Sequence, residues 1–405
     1  MRRGEARPRL RLVLAAGACL LAVPAVAASQ TISLDALKYE SAGGRVQIRP
    51  KARIFLDGAS ISGSDDPARN AGAHDIRTLY FGVEGAVDRV TFTLVADFAG
   101  DEPALRSAYL AWSEPTPAGD LEITLGNRLT ERGLEGSSSS EGLPFIERNA
   151  VAGALAPQKG LYGMGLSAKL FADNWHLAGQ VAGDDVNRPE LTEGAVTTTV
   201  RGHWNPVRSG EGLIHLGAWG FHEDFTPDLK RLSRNTNWVS PVNDHVQVAL
   251  GSLVDPRRAD GLGGEIGAVR GPTWAFLEFG QRRIETASLS AEVRAWTLSA
   301  GWMLTGDPAP YGARSGTFVR RAPTAPLSRG GLGSLELTGR VQRLDNRDAP
   351  LGGAGDDVTV GLNWRLESWA RLMLNASHWQ VENRTVAGLR RDAGDAVLAR
   401  LQIAF

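Results

Sequence analysis

The chain has 405 residues, 42% hydrophobic and 22% charged, a composition that excludes wholesale disorder. Its 44 Lys and Arg nearly balance 45 Asp and Glu, which argues against a broadly basic nucleic-acid surface. With Cys19 as the single cysteine, no disulfide can form within the chain.

Residues 1–27 read as an export signal. Arg2, Arg3, Arg7, Arg9 and Arg11 form a basic start, Leu12 to Val23 an apolar stretch, and Ala25-Val26-Ala27 a small-x-small cleavage site. A lipoprotein site at Ala16-Gly17-Ala18-Cys19 is the alternative, although the apolar run before Cys19 is short. Cleavage after Ala27 leaves 39 basic and 44 acidic residues, a net of −5, and no cysteine. Any anion preference must then come from local placement of charge. Residues 28–43 read as a short leader. No later segment has the roughly 18 continuous apolar residues of a membrane helix, but a strand barrel needs only an apolar outward face.

The first strand is expected over 44–57. Arg45, Gln47, Arg49, Lys51 and Arg53 alternate with Val46, Ile48, Pro50, Ala52 and Ile54, so four cations share one face. Pro50 lacks an N–H, which predicts a bulge or a missing ladder bond. Period two recurs through Val90, Phe92 and Leu94, through Leu121, Ile123 and Leu125, through Val358, Val360 and Leu362, and lastly through Val397, Ala399, Leu401, Ile403 and Phe405. Such runs predict about sixteen strands, near 44–57, 74–87, 88–99, 104–113, 120–128, 161–171, 173–183, 195–205, 211–222, 261–270, 273–285, 289–305, 331–345, 355–367, 369–383 and 395–405. Tight turns at Val87-Asp88, Ala172-Asp173, Gly271-Pro272 and Ser368 alternate with the longer links 58–73, 129–160, 184–194, 223–260 and 384–394, as in bacterial barrels. The link 306–330 breaks that rule, being long on the short-turn side. Trp112, Trp175, Trp204, Trp364 and Trp379 fall near strand ends, as an aromatic girdle would.

After Leu121 to Arg128, about thirty residues lack any apolar period. They hold Arg132, Ser137 to Ser140, Pro144, Glu147 and Arg148, with Phe145, Ile146 and Leu155 available for packing. A loop of this length in a compact protein is usually functional or disordered. Here it is expected to fold inward and narrow the lumen.

Several segments resemble one family. Phe92-Thr93-Leu94-Val95-Ala96-Asp97-Phe98-Ala99, Leu105-Arg106-Ser107-Ala108-Tyr109-Leu110, Leu125-Gly126-Asn127, Gly133-Leu134-Glu135 and Phe145-Ile146-Glu147-Arg148 are similar to the phosphate-selective porin O and P family. So are Leu304-Thr305-Gly306 with Tyr311, Gly361-Leu362-Asn363-Trp364 and Arg371-Leu372-Met373-Leu374-Asn375. The resemblance implies an all-β, sixteen-stranded antiparallel transmembrane barrel in the bacterial outer membrane, trimeric, with its third outer loop folded inward. Two departures stand out. Arg77-Thr78-Leu79-Tyr80-Phe81-Gly82 keeps only the first of the family's clustered arginines, and by alternation Arg77 falls on the outward face with Leu79 and Phe81. Leu129 stands where the family's loop carries lysine.

An anion pore needs cations at a narrow place, and the planar guanidinium suits oxyanions. The candidates are Arg45, Arg49, Lys51, Arg53, Arg128, Arg132 and Arg148. Alternatively each solvates the interior and pairs with Glu131, Glu135, Glu141 or Glu147. The four serines read as pore lining or as a loop tip. No histidine spacing, nucleophile elbow or phosphate-binding loop suggests an enzyme, a metal or a cofactor. Glu223, Asp224, Asp228 and Asp244 form an acidic group expected in an outer loop. The leading expectation is a passive outer-membrane channel for small anions such as phosphate, its partners being such anions, membrane lipid and two further copies, with no nucleic acid. The second is a structural or adhesive barrel with a plugged lumen, and the third a secreted soluble β-protein.

Overall fold

The computed structural model describes residues 37–405 apart from 42, 159, 161, 188–193, 234 and 243. The signal expected at 1–27 and most of the 28–43 leader lie outside the described residues. The alternating runs form sixteen barrel strands: β1 Val46–Ser62, β2 Gly72–Val87, β3 Val90–Asp97, β4 Ala104–Thr116, β5 Gly119–Leu129, β6 Tyr162–Phe171, β7 Trp175–Ala182 and β8 Val196–Arg208. The second half is β9 Gly212–Asp224, β10 Pro256–Arg270, β11 Thr273–Thr286, β12 Ser290–Met303, β13 Ser334–Asp345, β14 Gly353–Arg365, β15 Ala370–Thr385 and β16 Gly388–Ala404. Each pairs antiparallel with its sequence neighbours, and β16 pairs with β1 from Arg53↔Ala404 to Ser62↔Asp395, which closes the ring. Closure removes both sheet edges.

Side chains sort by parity. Leu94, Leu110, Leu125, Leu166, Val200, Leu262, Leu298 and Val360 are exposed on the outer wall, while Thr124, Gln180, Thr199, Arg201, Glu265, Thr338 and Arg340 are buried within. An apolar exterior around a polar interior is the pattern of a barrel solvated by lipid. Trp112, Trp204 and Trp364 do face outward, but Trp379 is fully buried inside, so it belongs to the interior and not to a girdle.

Three connections enter the barrel. The 130–161 loop carries two short helices, α1 Leu134–Ser137 and α2 Ala150–Ala154. It hydrogen-bonds to inward side chains of the last strands of the ring: Glu278 of β11, Arg340 of β13, Arg371 and Asn375 of β15, and Arg400 of β16. The 225–255 loop, from the same end, packs Leu229, Leu232, Val246, Val248 and Leu253 with α2 residues Ala150 and Val151 and inward-facing Trp219, Phe221, Ile284 and Trp379. Apolar residues at inner positions of these strands therefore mark a docked loop. From the opposite, short-turn end comes the 304–333 link, with a small ribbon pairing Tyr311↔Phe318 and Gly312↔Thr317. Its Tyr311 and Phe318 join Leu134, Phe145, Trp274 and Phe276 in a second buried cluster, where the link meets the 130–161 loop. Full burial of such side chains contributes roughly 1.5–3 kcal/mol each.

The register decides between the two alternatives at Pro50, a bulge or a missing ladder bond, in favour of the second, and corrects the placement of Arg77. No shift occurs at Pro50, which pairs with Val83. Ala52 exchanges backbone hydrogen bonds with Phe405, so Pro50, two residues earlier on the same side, faces beyond the end of β16 where no N–H is required. The shift lies instead between Phe55 and Leu56, opposite Thr78 and Ile76, leaving Arg77 as an extra residue in β2.

Candidate functional site

The loops divide the lumen unevenly. The 130–161 loop lies against β11 to β16 and leaves a cavity of about 480 Å³ toward β2, β4 and β6, lined in part by Arg77, Tyr80, Asp97, Arg106, Glu147, Arg148 and Tyr162.

The bulge at Arg77 decides that residue's direction. A single extra residue breaks strict alternation and can re-aim a side chain. Arg77 consequently reaches inward and approaches Glu147 of the loop at 3.7 Å, contrary to the outward placement that alternation predicts. Arg106 occupies the same kind of position. The register of β3 against β4 passes from Val95↔Ser107 to Ala96↔Leu105, so Arg106 is the extra residue, and its guanidinium donates to buried Asp97 at 3.0 and 3.3 Å. The Arg106 guanidinium stands 5.9 Å from the centre of the Tyr80 ring, and that of Arg53 stands 5.0 Å from it.

The predicted cations divide into groups. Arg53 is tied to the loop, donating to Ser140 Oγ at 2.9 Å, Ser139 Oγ at 3.0 Å and Glu141 at 3.1 Å. Arg128 faces inward over Tyr109, 5.0 Å from the ring centre, and donates to Thr124 Oγ1 at 2.7 Å and to Glu122. Arg132 is buried, with its guanidinium 3.4 Å from the Gly160 carbonyl. Arg148 donates to the carbonyls of Ser138, at 2.8 Å, and Glu135, so it braces the loop while bordering the cavity. Arg45, Arg49 and Lys51 lie apart, toward the short-turn end. Arg45 pairs bidentately with Asp88 at 2.9 and 3.0 Å, and Arg49 and Lys51 share Glu84. The structure thus gathers Arg77, Arg106 and Arg148 around one cavity.

The serine run is fully employed. Ser137 Oγ accepts from Arg132 N at 2.8 Å, Ser138 Oγ bridges the Leu134 carbonyl and Phe318 N, and Ser139 and Ser140 receive Arg53. Glu141 is half-buried against cations. Burial alone would raise its carboxyl, but Arg53, Arg320 and Lys51 outweigh that and hold it below the ordinary value.

The acidic group expected in an outer loop does not form there. Glu223 lies in β9, is buried, and accepts from Gln158 N at 2.8 Å and Thr197 Oγ1 at 3.0 Å, whereas Asp224 pairs with His222 at 3.1 Å. Among the described residues no group of three or more His, Cys, Asp or Glu could hold a metal ion.

Comparison with known proteins agrees with this architecture. An uncharacterized protein of Caulobacter vibrioides is 26% identical over 351 residues, which cover 82% of this chain and 68% of the relative. OmpT of Vibrio cholerae superposes with a TM-score of 0.54 at 10% identity, covering 91% of this chain and all of that one. The anion-selective porin of Comamonas acidovorans gives a TM-score of 0.51 at 14% identity over 89% of this chain and all of that one. At these identities the structures share the fold alone. The model of the family described as phosphate-selective porin O and P matches residues 48–405, nearly the whole closed ring, and the chain therefore belongs to that family and is an outer-membrane porin.

Proposed function

We propose that this porin conducts small anions in preference to cations, with phosphate or a similar oxyanion as the favoured solute, and that it works as a homotrimer in contact with membrane lipid. The observation that carries the reading is the pair of bulges that bring Arg77 and Arg106 inward, onto the wall of the cavity that Tyr80 and Arg148 also line. A guanidinium stays charged at any accessible pH and presents a planar fork to an oxyanion. Tyr80 lies in cation–π contact with Arg106 of this group and with the loop-bound Arg53, which steadies both guanidinium groups. Asp97 and Glu147 temper the positive field, so a passing anion would be attracted without being trapped, as conduction requires. The neighbouring porins of known structure supply the barrel for this reading and nothing about selectivity.

A second reading is a barrel with a structural or adhesive role and a plugged lumen. The observation in its favour is the entry of three connections into the interior.

One experiment addresses both. The reversal potential of the purified protein is measured in planar bilayers across a potassium chloride gradient, with and without phosphate. Chloride preference reduced by phosphate is the expected result. Cation preference would overturn the anion reading, and no conductance at all would favour the plugged barrel.

A further inference from the structure

Near the short-turn end, three histidines from consecutive strands stand ring to ring. His176 of β7, His203 of β8 and His215 of β9 are buried, with ring centres 4.6 Å apart for the first pair and 5.3 Å for the second. They form the wall on which the 304–333 link is seated. His203 Nε2 lies 2.8 Å from the Ala313 carbonyl, which also accepts from Asn205 at 2.8 Å. The Tyr311 hydroxyl lies 2.7 Å from His215 Nδ1. Gly316, at φ 61°, is pressed so closely on His203 that a β-carbon would fall 2.5 Å from the ring.

These contacts limit the protons. A carbonyl only accepts, so His203 carries hydrogen on Nε2. His176 and His203 meet Nδ1 to Nδ1, so one of these nitrogens donates and the other accepts, and the pair can hold one added proton but not two. His215 Nε2, 3.0 Å from Glu265, donates to that carboxylate, and its Nδ1 meets the Tyr311 hydroxyl, which also reaches Asn205 Oδ1 at 3.3 Å. The seated link is therefore compatible with at most one charge on the His176–His203 pair.

We propose that this histidine row is an acid-released latch: proton uptake by His203, together with its neighbours, unseats residues 309–319 and opens the lumen at the short-turn end. A second proton on the His176–His203 pair would set two Nδ1–H groups against each other. The surrounding charge offers no relief. Glu131, 3.8 Å from His176, already pairs with Lys169 and Arg201, and Glu265 is held bidentately by Arg201 at 2.8 and 2.9 Å. Lys169 and Arg201 themselves add positive charge, and the link brings Tyr311 and Arg314, the latter paired with Asp120 and 5.5 Å from the centre of the Phe171 ring that stacks on His176. Imidazole is the side chain suited to such a change in mildly acid solution.

The test uses the full chain in planar bilayers, with the short-turn compartment taken from about pH 8 to about pH 4.5, and hydrogen exchange of the same protein in detergent, corrected for the intrinsic pH dependence. The expected result is a reversible upward step in single-channel conductance with loss of exchange protection at 311–319 over the same pH interval. His203→Gln keeps a donor for Ala313 but cannot take the proton, and it should flatten both responses. A wild-type link that stays protected at acid pH overturns the proposal, as does a His203→Gln response equal to wild type. If that variant fails to fold, the two wild-type readings decide alone. The exchange arm does not depend on conduction, so a non-conducting barrel and a fixed link are told apart.

Discussion

Replacing Arg400 with Leu should destabilise the closed ring more than any replacement of an exposed cation. Arg400 of β16 sits opposite Asp57 of β1 in the seam that closes the barrel, donating through Nε at 2.7 Å and Nη2 at 2.6 Å. A third bond, from Nη1 to the Ile146 carbonyl at 2.9 Å, ties the 130–161 loop to the same group. Only 3% of the Arg400 side chain and 4% of the Asp57 side chain are exposed, so the pair follows the rule for buried charges. Removing one member strands the other and costs about 3–5 kcal/mol. The lost bond to Ile146 adds about 1 kcal/mol. Asp57→Leu combined with Arg400→Leu leaves no orphan charge, so the double variant should recover a large part of the loss, with a coupling of about 3 kcal/mol at most. Arg45→Ala is the control, because the Arg45–Asp88 pair is open to solvent and should leave the unfolding midpoint where it was. The assay is guanidinium unfolding in detergent micelles, followed by the fluorescence of the 11 tryptophans. An Arg400→Leu protein within about 1 kcal/mol of wild type would refute the assignment of this pair as buried and indispensable to the seam.

Three further outcomes are expected. Arg106→Ala removes an inward cation; a charge about 6 Å from the solute path in water is worth roughly 0.7 kcal/mol, so relative anion permeability should fall about threefold in reversal-potential measurements, while Arg45→Ala leaves it unchanged. Gly316→Ala forces a side chain onto the His203 ring at a left-handed backbone position, at a cost of about 1–3 kcal/mol, and should expose the link to tryptic cleavage at Arg314, Arg320 or Arg321; adding His203→Ala should restore part of the resistance. The Glu141 carboxyl is held below its ordinary value in the folded protein, so its stabilising contribution is present above the unfolded value near pH 4.3 and is lost as pH falls through the lower folded value. Glu141→Gln should accordingly flatten that part of the acid-unfolding curve and leave the neutral region's pH dependence unchanged.

The barrel was legible because strand parity is a local property. Leu94, Leu125 and Val360 declare an outward face within five residues of sequence, and sixteen such runs separated by alternating short and long connections describe a ring. Arg53 and Arg128 were legible for the same reason, lying on inward parity in regular stretches. Arg77 and Arg106 were not, because each sits where one extra residue interrupts the ladder, and no apolar pattern distinguishes a bulged arginine from an outward one. The burial of Trp379 was concealed differently. Its parity is inward, but an apolar residue inside a polar lumen makes sense only once the 225–255 loop is known to cover it. The long 304–333 link stood out as an irregularity in connection length, yet its seat on His176, His203 and His215 depends on three strands brought side by side.

The seam between β1 and β16 also bears on how the molecule can be assembled. Until β16 arrives, β1 and the latest strand in place present two long open rows of N–H and C=O groups flanked by apolar side chains, the arrangement most prone to pairing with a stranger. The seam runs from Ser62↔Asp395 to Arg53↔Ala404, with Phe405 adding a further pair of backbone bonds to Ala52, so the ring stays open until β16 is in place. A chain lacking β16 would leave both rows open, an adhesive sheet in place of a smaller pore.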